Sequence, residues 1–161
     1  MGMSRGVRAA LGTVVIWASG PGAWAQEAQG MPADLQRALD TYAHALERAE
    51  WNQLKALLVE PPDKRGLAEY LGRLKSLSAA GARLQSQQVT SFRLLPYSRV
   101  ANGAAAVIDL RRGYLHPLRP DNSLVTEYEQ VFALRDGTQA WRFVPSFCLT
   151  EEQFSEWLRR E

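Results

Sequence analysis

Residues 104–143 read AAAVIDLRRGYLHPLRPDNSLVTEYEQVFALRDGTQAWRF, and their pattern indicates a β-sheet. Apolar and polar residues alternate along this stretch with a period of two, which is the pattern of β-strands. We predict strands over about residues 104–114, 124–134 and 139–147, with an earlier one over residues 83–95. The connections contain turn-forming residues, and Asp136-Gly137 is typical of a tight hairpin. The four strands are therefore predicted to form an antiparallel meander.

Upstream of residue 83 the hydrophobic period changes to 3.6, which predicts helices. The first runs from Ala33 to about residue 50, with Leu35, Leu39, Tyr42 and Leu46 on its apolar side. A second surrounds Trp51–Leu58 and ends at Pro61-Pro62, and a third runs from Asp63 to Gly81. A final helix follows Thr150, with a predicted capping box between Thr150 and Gln153 and a staple between Leu149 and Phe154.

These elements predict an α+β fold with N-terminal helices packed on a curved, four-stranded antiparallel sheet. A short C-terminal helix completes it. Such a sheet curls around the helix that covers it, which gives a cone-like shape with a concavity for a ligand.

The N-terminus has the features of an export signal. Arg5 and Arg8 give a positive start, residues 9–18 are apolar, and Ala23-Trp24-Ala25 supplies small residues for cleavage. We predict a signal peptide over residues 1–25, a flexible leader over 26–32 and a single domain over 33–161. An uncleaved anchor is the alternative, but the apolar run is shorter than a bilayer-spanning helix requires. The mature protein is thus expected to be secreted, and periplasmic, with no membrane span after processing.

The charge balance argues against nucleic-acid binding. The chain has 19 Lys and Arg against 17 Asp and Glu, and the excess of two is Arg5 and Arg8 of the predicted signal. The remaining charge is zero, whereas nucleic-acid binding needs a clustered positive surface. Cys148 is the single cysteine, so no internal disulfide forms, and it is expected to be a small hydrophobic residue. We expect no cofactor, and no metal site, because His44 and His116 are the only histidines of the sequence and no Cys stands at ligand spacing from either.

The order of elements carries a family resemblance. The long first helix leads into Glu50-Trp51-Asn52-Gln53-Leu54-Lys55-Ala56-Leu57-Leu58, and the last strand carries Trp141-Arg142-Phe143. The chain resembles the nuclear transport factor two-like (SnoaL-like) superfamily, within the cystatin-like fold. That resemblance implies a fold shared by steroid isomerases, polyketide cyclases, secretion-system subunits and binding domains without catalysis. The C-terminal helix departs from the commonest form, and is expected to cover the cone or contact a partner.

Strand alternation predicts which side chains face the helices. On the third strand we expect Leu124, Thr126, Tyr128, Gln130 and Phe132 inside. On the second we expect Arg112, Tyr114 and His116 inside, unless a bulge at Gly113 reverses them. Phe92 and Leu94 are expected to face the same way from the first strand. The predicted ligand-binding set is Tyr42, Phe92, Arg112, Tyr114, Thr126, Tyr128, Gln130, Trp141 and Phe143.

Two functions remain open. The first is an exported, non-catalytic module that binds a small apolar or anionic ligand, or a protein partner in the cell envelope, with Trp157 as a partner contact and a homodimer possible. The second is an isomerase-like or cyclase-like enzyme. The resemblance implies that Tyr42 would then donate to a developing oxyanion, with His116 or Asp109 as its partner. Asp109 alternates onto the outer face, so this sequence offers Tyr42 no convincing base.

Overall fold

A four-stranded antiparallel sheet in the order β1-β2-β3-β4 organises the protein. The structure is a computed structural model, and it describes residues 30–61, 66–97, 102–117, 119, 121, 123–137 and 139–160. Its elements are α1 (Ala33–Glu47), α2 (Trp51–Leu57), α3 (Leu67–Ala79), β1 (Arg83–Leu95), β2 (Ala104–Leu115), β3 (Leu124–Arg135), β4 (Arg142–Pro145) and α4 (Glu151–Arg160). The predicted α+β fold, with its curved sheet and C-terminal helix, is confirmed.

The predicted strand boundaries hold closely except in the last strand. β2 and β3 pair without interruption from Ala104↔Arg135 to Leu115↔Leu124, so there is no bulge at Gly113 in this pair. The irregularities lie instead in β1, where its register with β2 shifts between Leu84 and Ser86 and between Val89 and Ser91. Bulges of this kind bend a strand and increase its twist. β4 has four residues rather than the predicted nine, and all four pair with β3.

The inner face of the sheet is defined here as the side that packs on the first three helices. Its apolar residues are Ala106, Ile108, Leu110, Val131, Ala133 and Phe143, all at most 1% exposed. They meet Leu35, Leu39 and Tyr42 of α1 and Leu54 of α2. Fully burying one such large apolar side chain stabilises a protein by about 1.5–3 kcal/mol, so this layer is the main source of stability.

The outer face of the sheet carries a second core beneath α4. Ala105, Val107, Phe132, Leu134 and Val144 pack there against Leu149, Phe154 and Leu158. The rings of Phe132 and Phe154 are stacked with centroids 4.8 Å apart. The predicted capping box is confirmed, because the Thr150 amide donates to Gln153 Oε1 at 2.8 Å and the Gln153 amide donates to Thr150 Oγ1 at 3.3 Å.

The predicted inner face of β3 is wrong. Directly paired residues share a face, and Thr126, Tyr128 and Gln130 pair with Gly113, Arg111 and Asp109. That row is the outer face, since Gln130 Nε2 donates to Asp109 there at 3.0 Å and Phe132 packs on α4. The prediction assumed that only one face of the sheet is buried. At the C-terminal end of β3 both faces of the sheet are buried, so the apolar side chain of Phe132 does not identify the inner face.

Some predictions lie outside the described residues. These are the signal peptide over residues 1–25, most of the leader, and Asp63 as the start of the third helix, which the structure describes from Leu67. Within the described residues, no helix is long and apolar enough to span a membrane.

Candidate functional site

A chain of hydrogen bonds runs from the core to the open end of the inner face. The Tyr42 and Tyr70 hydroxyl oxygens are 2.7 Å apart, and Tyr70 donates to Glu129 Oε1 at 3.1 Å. A phenol has one proton to donate, so Tyr42 must be the donor to Tyr70. Tyr42 is fully buried against Phe143, at a ring-centroid distance of 5.3 Å, while the Glu129 side chain is 21% exposed. The chain therefore ends on a carboxylate that solvent reaches.

Arg112 lies behind that carboxylate and is 1% exposed. Its Nη1 donates to Glu129 Oε2, its Nε donates to Gln87 Oε1 at 2.8 Å, and its guanidinium lies 5.0 Å from the centre of the Tyr42 ring. A buried charge is tolerated only when it is paired and hydrogen-bonded, and Glu129 supplies the pairing. Arg112 Nη2 makes no hydrogen bond within the described residues.

The electrostatics of this cluster keep the phenols neutral and the guanidinium charged. Burial raises the pKa of Tyr42 and of Tyr70 well above the ordinary value, and the charge of Glu129 adds to both increases. Burial also raises the pKa of Tyr114, against the opposing effect of Arg112. Burial alone would lower the pKa of Arg112, but Glu129 and the neighbouring tyrosines together outweigh burial, and the pKa lies well above its usual range.

An open cavity of about 270 Å³, called here the α3 groove, lies beside this cluster. One wall is α3, which contributes Tyr70, Arg73, Leu74 and Leu77. The other wall and the end of the groove are formed by Tyr114, Glu127, Tyr128, Glu129, Ser146 and Phe147. The helix wall is largely apolar, whereas the sheet wall presents two carboxylates and two phenols.

The structure brings together only part of the predicted ligand-binding set. Tyr42 and Arg112 belong to the buried cluster, and Tyr114 lines the α3 groove. Trp141 and Phe143 face inward as predicted, but both are core residues at most 3% exposed, and Trp141 Nε1 donates to Asp34 at 2.9 Å. Phe92 packs at the edge of the inner core. Leu94, also expected inside, is 56% exposed.

The three β3 residues of the predicted ligand-binding set do not line a pocket on the inner face. Thr126 is exposed, Gln130 is half-buried beside Asp109, and Tyr128 borders the α3 groove with 75% of its surface exposed. The place they were expected to fill is taken by Glu127 and Glu129.

Neither of the predicted catalytic partners of Tyr42 lies in its hydrogen-bond chain. Asp109 is on the outer face, as expected, where it accepts hydrogen bonds from Ser91 and Gln130. His116 follows the end of β2 and is not among the described residues that line the groove. The sheet separates Asp109 from Tyr42, so Asp109 does not act as a base beside that hydroxyl.

Sequence reasoning missed Glu129 and the role of Tyr70, although a signal for both was present. Tyr70 stands at helical spacing from Leu67, Leu74 and Leu77 within the predicted third helix, and Arg112 was expected inside. A buried arginine needs a counter-charge, and the acids of the neighbouring strand that pair near it are Glu127 and Glu129. Requiring that charge pair would have fixed the face of β3 correctly.

Trp157, the predicted partner contact, packs within its own chain. Its ring lies edge-on to Phe154 at 6.1 Å, and it borders a second cavity of about 220 Å³ together with Tyr97, Asp136 and Arg142. Among the described residues there is no group of three or more His, Cys, Asp or Glu arranged to hold a metal ion.

Comparison with known proteins identifies the fold. No protein-family model matches the chain, and no curated protein matches it either. Among solved structures, it is similar to the β subunit of the benzoate 1,2-dioxygenase from Burkholderia mallei, at 13% identity and a TM-score of 0.51 over 70% of this chain and 85% of that one. A weaker match is the intermembrane space region of the chloroplast protein ARC6, at 11% identity and a TM-score of 0.43 over 71% of this chain and 93% of that one. Another is a candidate polyketide cyclase from Pseudomonas putida, at 16% identity and a TM-score of 0.34 over 79% of this chain and 98% of that one.

The chain shares its fold with the β subunit of the benzoate 1,2-dioxygenase, which agrees with the predicted resemblance at the level of the fold. An identity of 13% shows the fold and nothing further.

Proposed function

We propose that the protein is an exported binding module that holds a small molecule in the α3 groove and does not itself catalyse a reaction. The observation that carries this proposal is the state of the polar groups beside the groove. The Tyr42 hydroxyl is sealed in the core, whereas the groove next to Glu129 is open.

The groove supports the binding part of the proposal through its contrasting walls. Leu74 and Leu77 give an apolar surface on α3, and Phe147 closes the end. Glu127, Glu129 and Tyr114 give fixed polar contacts on the sheet wall. Ligand sites in proteins are typically concave and apolar with a few placed polar groups, and a volume of about 270 Å³ suits a molecule smaller than most drugs.

The hydrogen-bond chain supports the non-catalytic part. An oxyanion donor must reach the reacting atom, but Tyr42 gives its proton to Tyr70 and has no exposed surface. Both Glu129 oxygens already accept hydrogen bonds, one from Tyr70 and one from Arg112. The two hydroxyls and both carboxylate oxygens of this cluster therefore bond to one another and to Arg112.

The same cluster changes the kind of ligand that the groove favours. A guanidinium binds an anion as a forked donor, and Arg112 was the arginine of the predicted ligand-binding set. That guanidinium is buried and ion-paired to Glu129, so it does not offer its fork to the groove.

Native mass spectrometry of the protein purified from the envelope fraction tests the proposal. We expect a polypeptide that begins at Gln26 and carries an adduct of a few hundred daltons, lost in the variant Ser146→Trp, which fills the groove from an exposed position. Thr126→Trp is the matched control, because it adds the same ring on the outer face of β3. An adduct unaffected by Ser146→Trp would contradict the groove as its site. A stable complex with another protein in place of an adduct would favour the protein-partner form of the module.

One observation favours a second candidate, an acid–base enzyme. A carboxylate does lie in the cavity, namely Glu129, in the role that neither Asp109 nor His116 fills. Tyr70, rather than Tyr42, would then be the donor that reaches substrate. Turnover of the molecule identified by mass spectrometry, abolished in Tyr70→Phe and retained in Tyr42→Phe, would establish this enzyme and overturn the non-catalytic proposal.

A further inference from the structure

We propose that the ligand of the α3 groove is a small zwitterion of the α-amino acid type, with an ammonium group, a carboxylate and an apolar side chain. This inference rests on the proposed function and names its ligand class. It follows from the charged side chains that line the groove and from the fact that only some of them form ion pairs within the protein.

The sheet wall provides a place for the ammonium group. Glu127 and Glu129 lie two residues apart on the same face of β3, so both carboxylates point to the groove side. Arg112 neutralises one of them from behind and is 1% exposed. Glu127 makes no hydrogen bond or ion pair within the described residues, so one negative charge on this wall stays without a partner.

Aromatic rings at the same end add to the attraction for a cation. Tyr70 and Phe147 lie with ring centroids 5.9 Å apart, and Tyr114 lines the groove beside them. The face of an aromatic ring attracts an ammonium group through its quadrupole. The rings also contact the hydrocarbon part of a ligand, together with Leu74 and Leu77.

The helix wall provides a place for the carboxylate. Arg73 of α3 lines the groove and, within the described residues, makes no ion pair, including with Glu127 across from it. A guanidinium binds a carboxylate through two parallel hydrogen bonds. A simple amine would leave Arg73 unused and would be repelled by it, and a simple acid would meet Glu127 in the same way. A zwitterion satisfies both charges.

Titration calorimetry with three related probes tests this inference. L-phenylalanine carries both charges, 2-phenylethylamine lacks the carboxylate, and 3-phenylpropanoate lacks the ammonium group. We expect L-phenylalanine to bind about three- to fivefold more tightly than either analogue, which is the effect of one solvent-exposed ion pair. Equal or tighter binding of either analogue would overturn the zwitterion.

Two variants assign the charges to their walls. Glu127→Gln should weaken L-phenylalanine and 2-phenylethylamine by about three- to fivefold and should not weaken 3-phenylpropanoate, which Glu127 repels. Arg73→Gln should weaken L-phenylalanine and 3-phenylpropanoate by a similar factor and should not weaken 2-phenylethylamine. Arg37→Gln, on α1 outside this groove, is the control and should change nothing. A variant that weakens all three probes equally would contradict the inference.

The outcome also separates this inference from the proposed function. If the purified protein carries an adduct that Ser146→Trp removes while none of the three probes binds, the zwitterion is wrong and the binding module stands. If neither adduct nor probe is bound, both proposals fail.

Discussion

Replacing Glu129 by leucine tests the buried charge pair directly. The substitution keeps a side chain of similar size but leaves Arg112, which is 1% exposed, without its counter-charge. Removing one partner of a buried pair costs about 3–5 kcal/mol. Because the Glu129 side chain is 21% exposed, water can reach the guanidinium in the variant, so we expect the lower end, about 3 kcal/mol. For a domain of this size that loss lowers the Tm by about 10–15 °C.

Urea denaturation followed by circular dichroism measures the effect, with the slope m checked for constancy. Glu127→Leu is the matched control, since Glu127 lies on the same strand and face but forms no ion pair with the residues that the structure describes, and its change should stay within about 0.5 kcal/mol. The double variant Arg112→Met with Glu129→Leu should be more stable than Glu129→Leu alone, because no charge then remains buried. Equal effects at positions 127 and 129, or a double variant less stable than the single one, would refute the reasoning.

Three further predictions concern stability. Burial raises the pKa of Tyr42 and Tyr70, so the folded protein keeps phenol protons that the unfolded chain releases above pH about 10. The free energy of unfolding should therefore fall above that pH, and urea denaturation that gives a constant free energy as the pH rises through about 10 would contradict this. Gly72→Ala lies in the exposed interior of α3 with open space around it, so it should stabilise the protein by about 0.5–1 kcal/mol. Gly81→Ala, at φ +95°, should destabilise the protein by about 1–2 kcal/mol. Thermal unfolding measures both changes, and the same sign for the two would contradict this prediction. Thr150→Ala should cost about 1 kcal/mol in the same assay through loss of the cap of α4, and no loss would mean that tertiary packing alone holds that helix.

The fold could be predicted from the sequence because its determinants are local. The alternation in β2 and β3 and the capping box at Thr150 each act over a few residues, and the structure has both. The tight hairpin predicted at Asp136-Gly137 is wrong, because β3 ends at Arg135 and β4 begins only at Arg142. The bulges of β1 were not predictable, since they depend on how the strand fits its neighbour. β4 was predicted too long because a buried tryptophan before it, Trp141, looks like part of the strand in the sequence.

The site was less predictable because it depends on which element covers each face of the sheet. Arg112 was placed correctly because its own strand has a clear apolar row. β3 is buried on both faces at one end, so Phe132 facing α4 gave a misleading alternation for Thr126 and Tyr128. Only the pairing of strands and the need to neutralise Arg112 distinguish the two faces, and both depend on contacts between residues that are far apart in the sequence.

The partial cover that α4 gives to the sheet has a consequence for how the molecule opens. Near Leu134 the strands lie between two cores, whereas near Tyr128 one side of the same ladder faces solvent. Amide protons of Phe132 and Val107 should then exchange with deuterium only when the whole domain unfolds, while those around Thr126 exchange through local fraying. The candidate pocket therefore lies at the end of the sheet where we expect local opening first, so a ligand can enter there while the two cores stay packed.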